Sequence, residues 1–150
     1  MIRWDARAGV YRIEMEEGLR RALGELMEQL VQLLGDPDSP VLHRLFPPAY
    51  SDPGHVAMQD EYRRLMQEDL VERRRAECEA VMANVSATEL TEEQLLAWSR
   101  AINSMRLALG TFLDVSENDP PRAPATYEES AYHWLSLLLE ETIEALSRQT

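Results

Sequence analysis

Adjacent glutamates are the residues of this sequence whose types first suggest acid–base chemistry. Four such pairs occur, at positions 16–17, 92–93, 128–129 and 140–141. General acid–base catalysis requires two carboxylates in different environments, one of which is removed from water. Three of the pairs fall in the first turn of a predicted helix, where acidic side chains favourably oppose the helix dipole. The pairs therefore indicate helix starts and not a catalytic site.

Histidines are the next candidates, because a helical bundle can bring distant ligands to one metal ion. The sequence has three of them, His43, His55 and His133. Carboxylate-bridged metal bundles use Glu-x-x-His on each of two helices, whereas Glu129 and His133 are four residues apart. No two histidines share a ligand-like spacing, so we expect no metal and no cofactor.

Cys78 is the only cysteine, which excludes an intramolecular disulfide and a disulfide-stapled secreted scaffold. A redox-active thiol needs exposure and a lowered pKa. Arg74 and Arg75 precede the thiol and would favour its ionisation, while Glu77 and Glu79 beside it would oppose ionisation. Because Cys78 lies on the apolar face of a predicted helix, we expect it to be buried.

Phosphate and amine chemistry lack their usual residues. All 15 basic residues are arginines, so P-loop and Schiff-base mechanisms, which need a lysine, are excluded. The six glycines form neither a dinucleotide-binding loop nor a nucleophile elbow. Gly110 lies inside a predicted helix at a cost of about 1 kcal/mol relative to alanine, which a close helix–helix approach would offset. We expect no enzymatic activity.

The charge distribution bounds the classes of partner. With 27 acidic residues the net charge is -12, of which residues 76–150 hold -9. Such a surface repels phosphate backbones and anionic lipid heads, so we expect no direct nucleic-acid or membrane binding. Five arginines between positions 63 and 75 are outnumbered by seven acids in residues 60–79, and Asp69 is spaced to pair with Arg73. No signal peptide or membrane span is evident, which predicts a cytoplasmic protein.

The elements that must position these residues are mainly helices. Residues 1–15 alternate with period two around Gly9, which predicts a small β-hairpin. Four long helices are expected: residues 16–34, 53–85, a third that begins at a Thr91–Gln94 capping box, and 127–147 after a Thr126–Glu129 capping box. The fold class is all-α, a helical bundle with an N-terminal hairpin in a single domain of residues 1–150, in which residues 16–148 form the bundle.

Helical spacing also predicts which side chains are buried. An interruption at residues 73–75 suggests a kink or two helices in the second segment. The predicted apolar faces are Leu19, Leu23, Leu26, Leu30 and Leu33; Met58, Tyr62, Leu65, Met66, Leu70, Cys78, Val81, Met82 and Val85; Leu95, Trp98, Ile102, Met105, Leu109 and Phe112; and Ala131, Trp134, Leu135, Leu138 and Leu146.

Two groups of segments carry more specific information than the amino-acid composition. The first runs from Arg44 to Asp52 as R-L-F-P-P-A-Y-S-D and continues with E-Y-R-R-L at 61–65 and D-L at 69–70. The second comprises Trp98, Asn103, R-L-A-L-G at 106–110 and L-D-V at 113–115. Together they resemble the signature of an actinobacterial family, number two thousand and seventeen among the domains of unknown function, also called the AosR-like oxidative-stress regulators. The likeness covers nearly the whole chain.

The resemblance implies a cytoplasmic regulator of redox-responsive transcription that acts through a sigma factor or RNA polymerase. It also implies a gene neighbourhood shared with the ClpS proteolytic adaptor, so an accessory factor of Clp proteolysis is the alternative function. A metal-dependent enzyme built on the helical bundle is the third possibility. A homodimer through an apolar helix face stays open. The residues expected to carry the motif or contact a partner are Leu45, Phe46, Pro47, Tyr50, Arg63, Arg64, Asp69, Arg106, Gly110 and Asp114.

Two of these expectations concern specific contacts. Phe46 and Tyr50 flank consecutive prolines and are expected to insert between helices as a rigid corner. Arg106 lies beside the core positions Met105 and Leu109, where an unpaired charge would be costly. We therefore expect a carboxylate of the second helix, such as Asp69, to pair with Arg106.

Overall fold

The computed structural model describes residues 1–46, 56–113 and 126–148. Within these residues the chain is mainly helical with a small sheet at its N-terminal end, as the sequence predicted. The elements are β1 Ile2–Asp5, β2 Val10–Ile13, α1 Glu17–Leu34, α2 Pro40–Leu45, α3 Val56–Asn84, β3 Glu89–Leu90, α4 Glu92–Leu113 and α5 Tyr127–Ser147.

The predicted hairpin is confirmed, and a third strand extends it. β1 and β2 pair antiparallel with Trp4 opposite Tyr11, and Gly9 takes the positive φ of 67° that the turn between them requires. β3 pairs antiparallel with β2, which places Leu90 opposite Tyr11. Two residues are too short a run to show a period of two, so the sequence pattern missed β3.

Charged side chains tie the strands to one another and to the last helix. Arg12 on β2 pairs with Asp5 on β1 at 3.0 Å and also with Glu89 on β3. At the outer edge of the sheet, the backbone N–H of Ile2 donates to a carboxylate oxygen of Glu141 on α5 at 2.7 Å. The edge of β1 is therefore joined to α5.

α4 is the central helix of the bundle. It packs against α1, α2, α3 and α5 and also touches β2 and β3. Its capping box forms as predicted, because the Thr91 N–H donates to Gln94 Oε1 at 2.9 Å and the Gln94 N–H donates to Thr91 Oγ1 at 3.2 Å. The predicted cap of α5 is also present, with the Glu129 N–H donating to Thr126 Oγ1 at 3.1 Å.

α3 is one continuous helix, so the suggested break at residues 73–75 does not occur. Arginine has a good helix propensity, and all three arginines pair with acids of the same helix, Arg75 with Glu72 at 3.9 Å. Arg73 pairs with Asp69 at 3.0 Å, as predicted, and Arg74 pairs with Glu77 at 2.6 Å. A gap in an apolar stripe therefore marks a solvated stretch here and not a helix end.

Most of the predicted core is confirmed. The side chains that are buried as expected are Leu23, Leu26, Leu30, Cys78, Val81, Leu95, Trp98, Ile102, Met105, Leu109, Ala131, Leu135 and Leu138.

The prediction was wrong for six apolar residues, which are exposed. On α3 the side chains of residues 64, 67, 68 and 71 line the side facing α1 and α2, so the predicted stripe in this half points outward. On α1 the buried face is rotated and runs through Met27 and Leu34. The exposed residues are Leu19, Tyr62, Leu65, Met66, Met82 and Phe112.

In the part of the chain that the structure describes, no helix combines the length and apolar character needed to cross a membrane.

Candidate interaction surfaces

The first half of α3 carries an exposed apolar face. Tyr62 is 67% exposed, Leu65 61% and Met66 43%. Residues three and four apart on a helix are neighbours, so these three side chains form one continuous patch, the α3 outer face. Large apolar side chains exposed together mark an interaction site more often than isolated ones do.

A groove lies on the other side of the same half of α3, between this helix, α2 and the end of α1. We call it the α2–α3 groove, and its volume is about 740 Å³. Its walls combine apolar side chains such as Leu42 and Val71 with charged ones, Arg64, Glu68 and Glu72. Mixed walls of this kind fit a peptide or a protein loop better than a small apolar ligand.

The predicted motif residues near α2 and α3 are only partly brought together. Leu45 and Phe46, at the end of α2, are half-buried and pack against the core. Arg64 lines the α2–α3 groove. Asp69 pairs with Arg73 on its own helix. The remaining residues of this group, Pro47 and Tyr50, lie outside the described residues, and so does the side chain of Arg63.

The predicted pairing of Arg106 with Asp69 is wrong. Asp69 is engaged by Arg73 at 3.0 Å. Arg106 Nη2 donates instead to Asn103 Oδ1 at 3.2 Å, within α4, and Arg106 Nε is buried without an acceptor among the described residues. The physical reason is that the side chain of Arg106 is directed toward α5 and not toward α3. Asp114, the other polar residue singled out with it, lies outside the described residues.

Arg106 lines a second groove, between α4 and α5, which we call the α4–α5 groove. Its volume is about 480 Å³, and the other residues that line it all belong to α5: Ser136, Leu139, Glu140, Ile143 and Glu144.

Gly110 explains how closely α4 approaches α5. A Cβ atom at this position would lie 3.4 Å from Cε2 of Tyr132. The close helix–helix approach expected from a glycine inside a helix is confirmed. The role of Gly110 is therefore to let two helices pack, and it needs no partner to explain it.

Arg20 is a buried charged residue that sequence reasoning missed. It is 6% exposed, and its guanidinium donates to four backbone carbonyls. The acceptors are Met15 O at 3.0 Å, Ile13 O at 3.1 Å, Val85 O at 2.8 Å and Ala87 O at 2.7 Å. This Arg20 clamp joins β2 and the start of α1 to the segment between α3 and β3.

A sequence signal for the Arg20 clamp did exist. Arg20, Leu23, Met27, Leu30 and Leu34 follow one another at alternating steps of three and four, which is the spacing of one helix face. The same face is the buried one in the structure. An arginine on such a stripe has to find acceptors inside the protein.

Cys78 is buried, as predicted, and burial together with Glu77 and Glu79 raises the pKa of its thiol to about 12, against the opposing effect of Arg74. Thiolate is the reactive form of cysteine. The folded chain therefore presents almost no nucleophilic sulfur at neutral pH.

Metal ligands are not gathered in the described part of the chain. No group of three or more His, Cys, Asp or Glu side chains there is arranged to hold a metal ion. His133 is exposed on α5, and His55 lies outside the described residues.

Comparisons with known proteins agree with the resemblance carried by the motifs. The profile of the DUF2017 family, a domain of unknown function, matches residues 1–146. Two proteins named "Oxidative stress regulator AosR", from Mycobacterium bovis and Mycobacterium tuberculosis, are each 30% identical over 129 residues, which is 73% of this chain and 59% of the relative.

A third relative, from Mycobacterium leprae, is 31% identical over 129 residues, and its name contains the same words. Since the match covers 59% of each relative, the chain spans about three fifths of their length. No solved structure is significantly similar to this chain.

Proposed function

The chain belongs to the DUF2017 family, and we propose that it is a non-enzymatic regulator of the response to oxidative stress that acts by binding a protein of the transcription machinery. The observation that carries this proposal is the similarity to proteins named oxidative stress regulators. Neither groove gathers the set of polar groups that a catalytic site requires.

Charge argues for a protein partner and against direct DNA binding. Non-specific DNA affinity comes mainly from counterions released when arginines and lysines neutralise phosphates. This chain has a net charge of -12, and several of its arginines are already paired with acids. Promoter DNA alone should therefore not bind at physiological salt.

The α3 outer face is the surface that we assign to this partner, which we propose to be a sigma factor or RNA polymerase. Tyr62, Leu65 and Met66 supply an apolar centre. Arg64 lies between them in sequence but lines the α2–α3 groove on the opposite side of the helix, so it stands outside this face. Aromatic residues and methionine are enriched at the centres of protein interfaces.

The oxidative signal must reach the chain by a route other than oxidation of its own cysteine. Cys78 is buried and its thiol has a pKa raised to about 12, the opposite of what a redox sensor needs. Disulfide formation within the chain is excluded because no second cysteine is present. Regulation then comes through the partner or through the amount of protein made.

The test identifies the proteins that bind this chain inside the cells that produce it, with and without hydrogen peroxide. The tagged full chain is crosslinked in cells, and RNA polymerase subunits, sigma factors, ClpS and Clp ATPases are quantified by mass spectrometry. The Tyr62→Ser/Leu65→Ser variant removes the apolar centre, and Leu19→Ser on α1 is the control because Leu19 is also exposed.

We expect sigma factor or polymerase with the wild type and the Leu19→Ser control, and a loss of about tenfold or more with the α3 variant. Recovery of ClpS or a Clp ATPase in their place would contradict the proposal and support the Clp alternative. A shift of promoter DNA by the purified chain alone would contradict the proposed protein-mediated mechanism.

A further inference from the structure

The end of α5 carries more acidic charge than the fold uses. Between residues 127 and 147 this helix has five glutamates and no arginine. Glu140, Glu141 and Glu144 stand in its last two turns, and the last turn holds no basic residue. Acids at a helix C-terminus are unfavourable because they meet the negative end of the helix dipole.

Only part of this charge is compensated. Arg148 pairs with Glu144, and Glu141 accepts the backbone N–H of Ile2 at 2.7 Å. Glu140 is exposed, and no hydrogen bond or ion pair of its side chain occurs with the described residues. Its carboxylate is available to a group that comes from outside the chain.

Exposed apolar side chains lie beside these acids. Leu137 is 52% exposed and Ile143 54%. Along α5, positions 137, 140 and 144 form an outer ridge, and positions 136, 139 and 143 form the ridge that lines the α4–α5 groove. The surface is thus an apolar strip between an acidic rim and α4.

Arg106 lines the groove from the α4 side. Its Nη2 donates to Asn103, while its Nε has no acceptor among the described residues. It forms no ion pair with a described carboxylate, although Glu140 and Glu144 line the same groove.

We propose that the α4–α5 groove binds a basic amphipathic helix of a partner protein. Leucine-like side chains of that helix would cover Leu139 and Ile143, and its lysines or arginines would pair with Glu140 and Glu144. Residues 136–144 span about 12 Å along α5 at the rise of an α-helix, which accommodates two to three turns of a partner. The positive helix would also neutralise the unfavourable acids at the end of α5.

A second copy of this chain fits the same surface poorly. A two-fold contact would place one α5 against another, and each copy brings five glutamates on this helix. Like charges facing each other disfavour that contact. The groove is separate from the α3 outer face, and the proposal does not depend on the regulatory role.

The test measures binding of a fluorescent synthetic peptide of leucine and lysine, designed as an amphipathic helix, to the full purified chain by fluorescence anisotropy. Glu140→Arg/Glu144→Arg reverses the acidic rim. Glu25→Arg/Glu28→Arg on α1 is the matched control, because both glutamates are exposed and the change in net charge is identical. Leu137→Ser/Ile143→Ser removes the two exposed apolar side chains beside the acidic rim, and Phe112→Ser/Tyr127→Ser, at positions of similar exposure, is its control.

We expect a loss of affinity of about tenfold or more for both groove variants and of less than about twofold for both controls. Equal weakening by the α1 reversal would show general charge attraction and overturn the proposal. Binding of the corresponding leucine–glutamate peptide with similar affinity would also overturn it. A dimer in sedimentation that dissociates with Leu137→Ser/Ile143→Ser would assign the groove to a second copy instead.

Discussion

The junction of α1 with the sheet and the α4–α5 groove each place an arginine against apolar side chains, but they satisfy it differently. Arg20 donates to four backbone carbonyls from three parts of the chain. Arg106 donates to one amide on its own helix and keeps a buried Nε without an acceptor among the described residues. The first arginine has its acceptors inside the fold, so it stabilises the fold. The second makes one side-chain hydrogen bond within its own helix, so it contributes less to the fold.

The largest effect on stability is expected for the replacement of Arg20. Arg20→Met should lower the free energy of unfolding by about 3 kcal/mol or more, because four backbone carbonyls lose charged donors. Chemical denaturation with urea measures it. Arg21→Met is the control, since Arg21 is exposed next to it and should change stability by about 0.5 kcal/mol or less. A loss below about 1 kcal/mol for Arg20→Met would remove the distinction between the two arginines.

The contact between Gly110 on α4 and Tyr132 on α5 should tolerate less added volume than an open helix position. Gly110→Leu should cost about 2 kcal/mol because the new side chain would overpack against Tyr132, whose ring lies 3.4 Å from a Cβ at that position. Gly18→Leu on α1 is the control, because a Cβ there meets nothing within 4 Å. Thermal unfolding of both variants checks the difference, and equal stability would contradict the close approach of α4 and α5.

The pH dependence of stability should report the buried thiol of Cys78 on α3. The pKa of Cys78 rises from 9.0 to about 12 on folding, so above pH 9 the unfolded chain loses a proton that the folded chain keeps. Stability therefore falls as the pH rises, by about 1.4 kcal/mol between pH 8 and pH 10.

Cys78→Ala should lack this part of the decline, and the difference between the two chains isolates it from Tyr11, whose burial also raises its pKa. Parallel pH profiles for the wild type and the variant would show that the thiol is not held in its neutral form.

The smallest effect on stability is expected for the replacement of Arg106. Arg106→Met should change the free energy of unfolding by about 1 kcal/mol or less, since the variant removes a single side-chain hydrogen bond within α4 and retains an apolar stem. Urea unfolding beside Arg20→Met gives the contrast directly. A loss as large as that of Arg20→Met would mean that the two arginines stabilise the fold equally.

The sequence predicted the helices well because their signals are local. The Thr91–Gln94 cap and the α4 stripe need only neighbouring residues, and both were confirmed. The burial of α3 could not be read in the same way, because the side facing α1 and α2 is set by packing between distant segments. The Arg20 clamp and β3 also depend on partners about 65 to 79 residues away in the chain.

The candidate surfaces show the same limit. The motif singled out Arg64 and Arg106, and both line grooves. The predicted partner of Arg106 was Asp69 on α3, whereas its side chain is directed toward α5. Helical spacing left Leu137 and Ile143 off the predicted buried face of α5, but no motif marked them as part of a surface.

The hydrogen bond from Ile2 to Glu141 has a consequence for how the chain is made. β1 lies at the edge of the three-stranded sheet, and an open edge is a template on which another polypeptide can add a strand. In the folded molecule Glu141 occupies the outward N–H of Ile2, and α5 packs against β1. On the ribosome the hairpin emerges long before residue 141, so this edge stays unprotected through most of synthesis. Aggregation of nascent or C-terminally truncated chains should therefore begin at β1, a hazard that ends only when α5 docks.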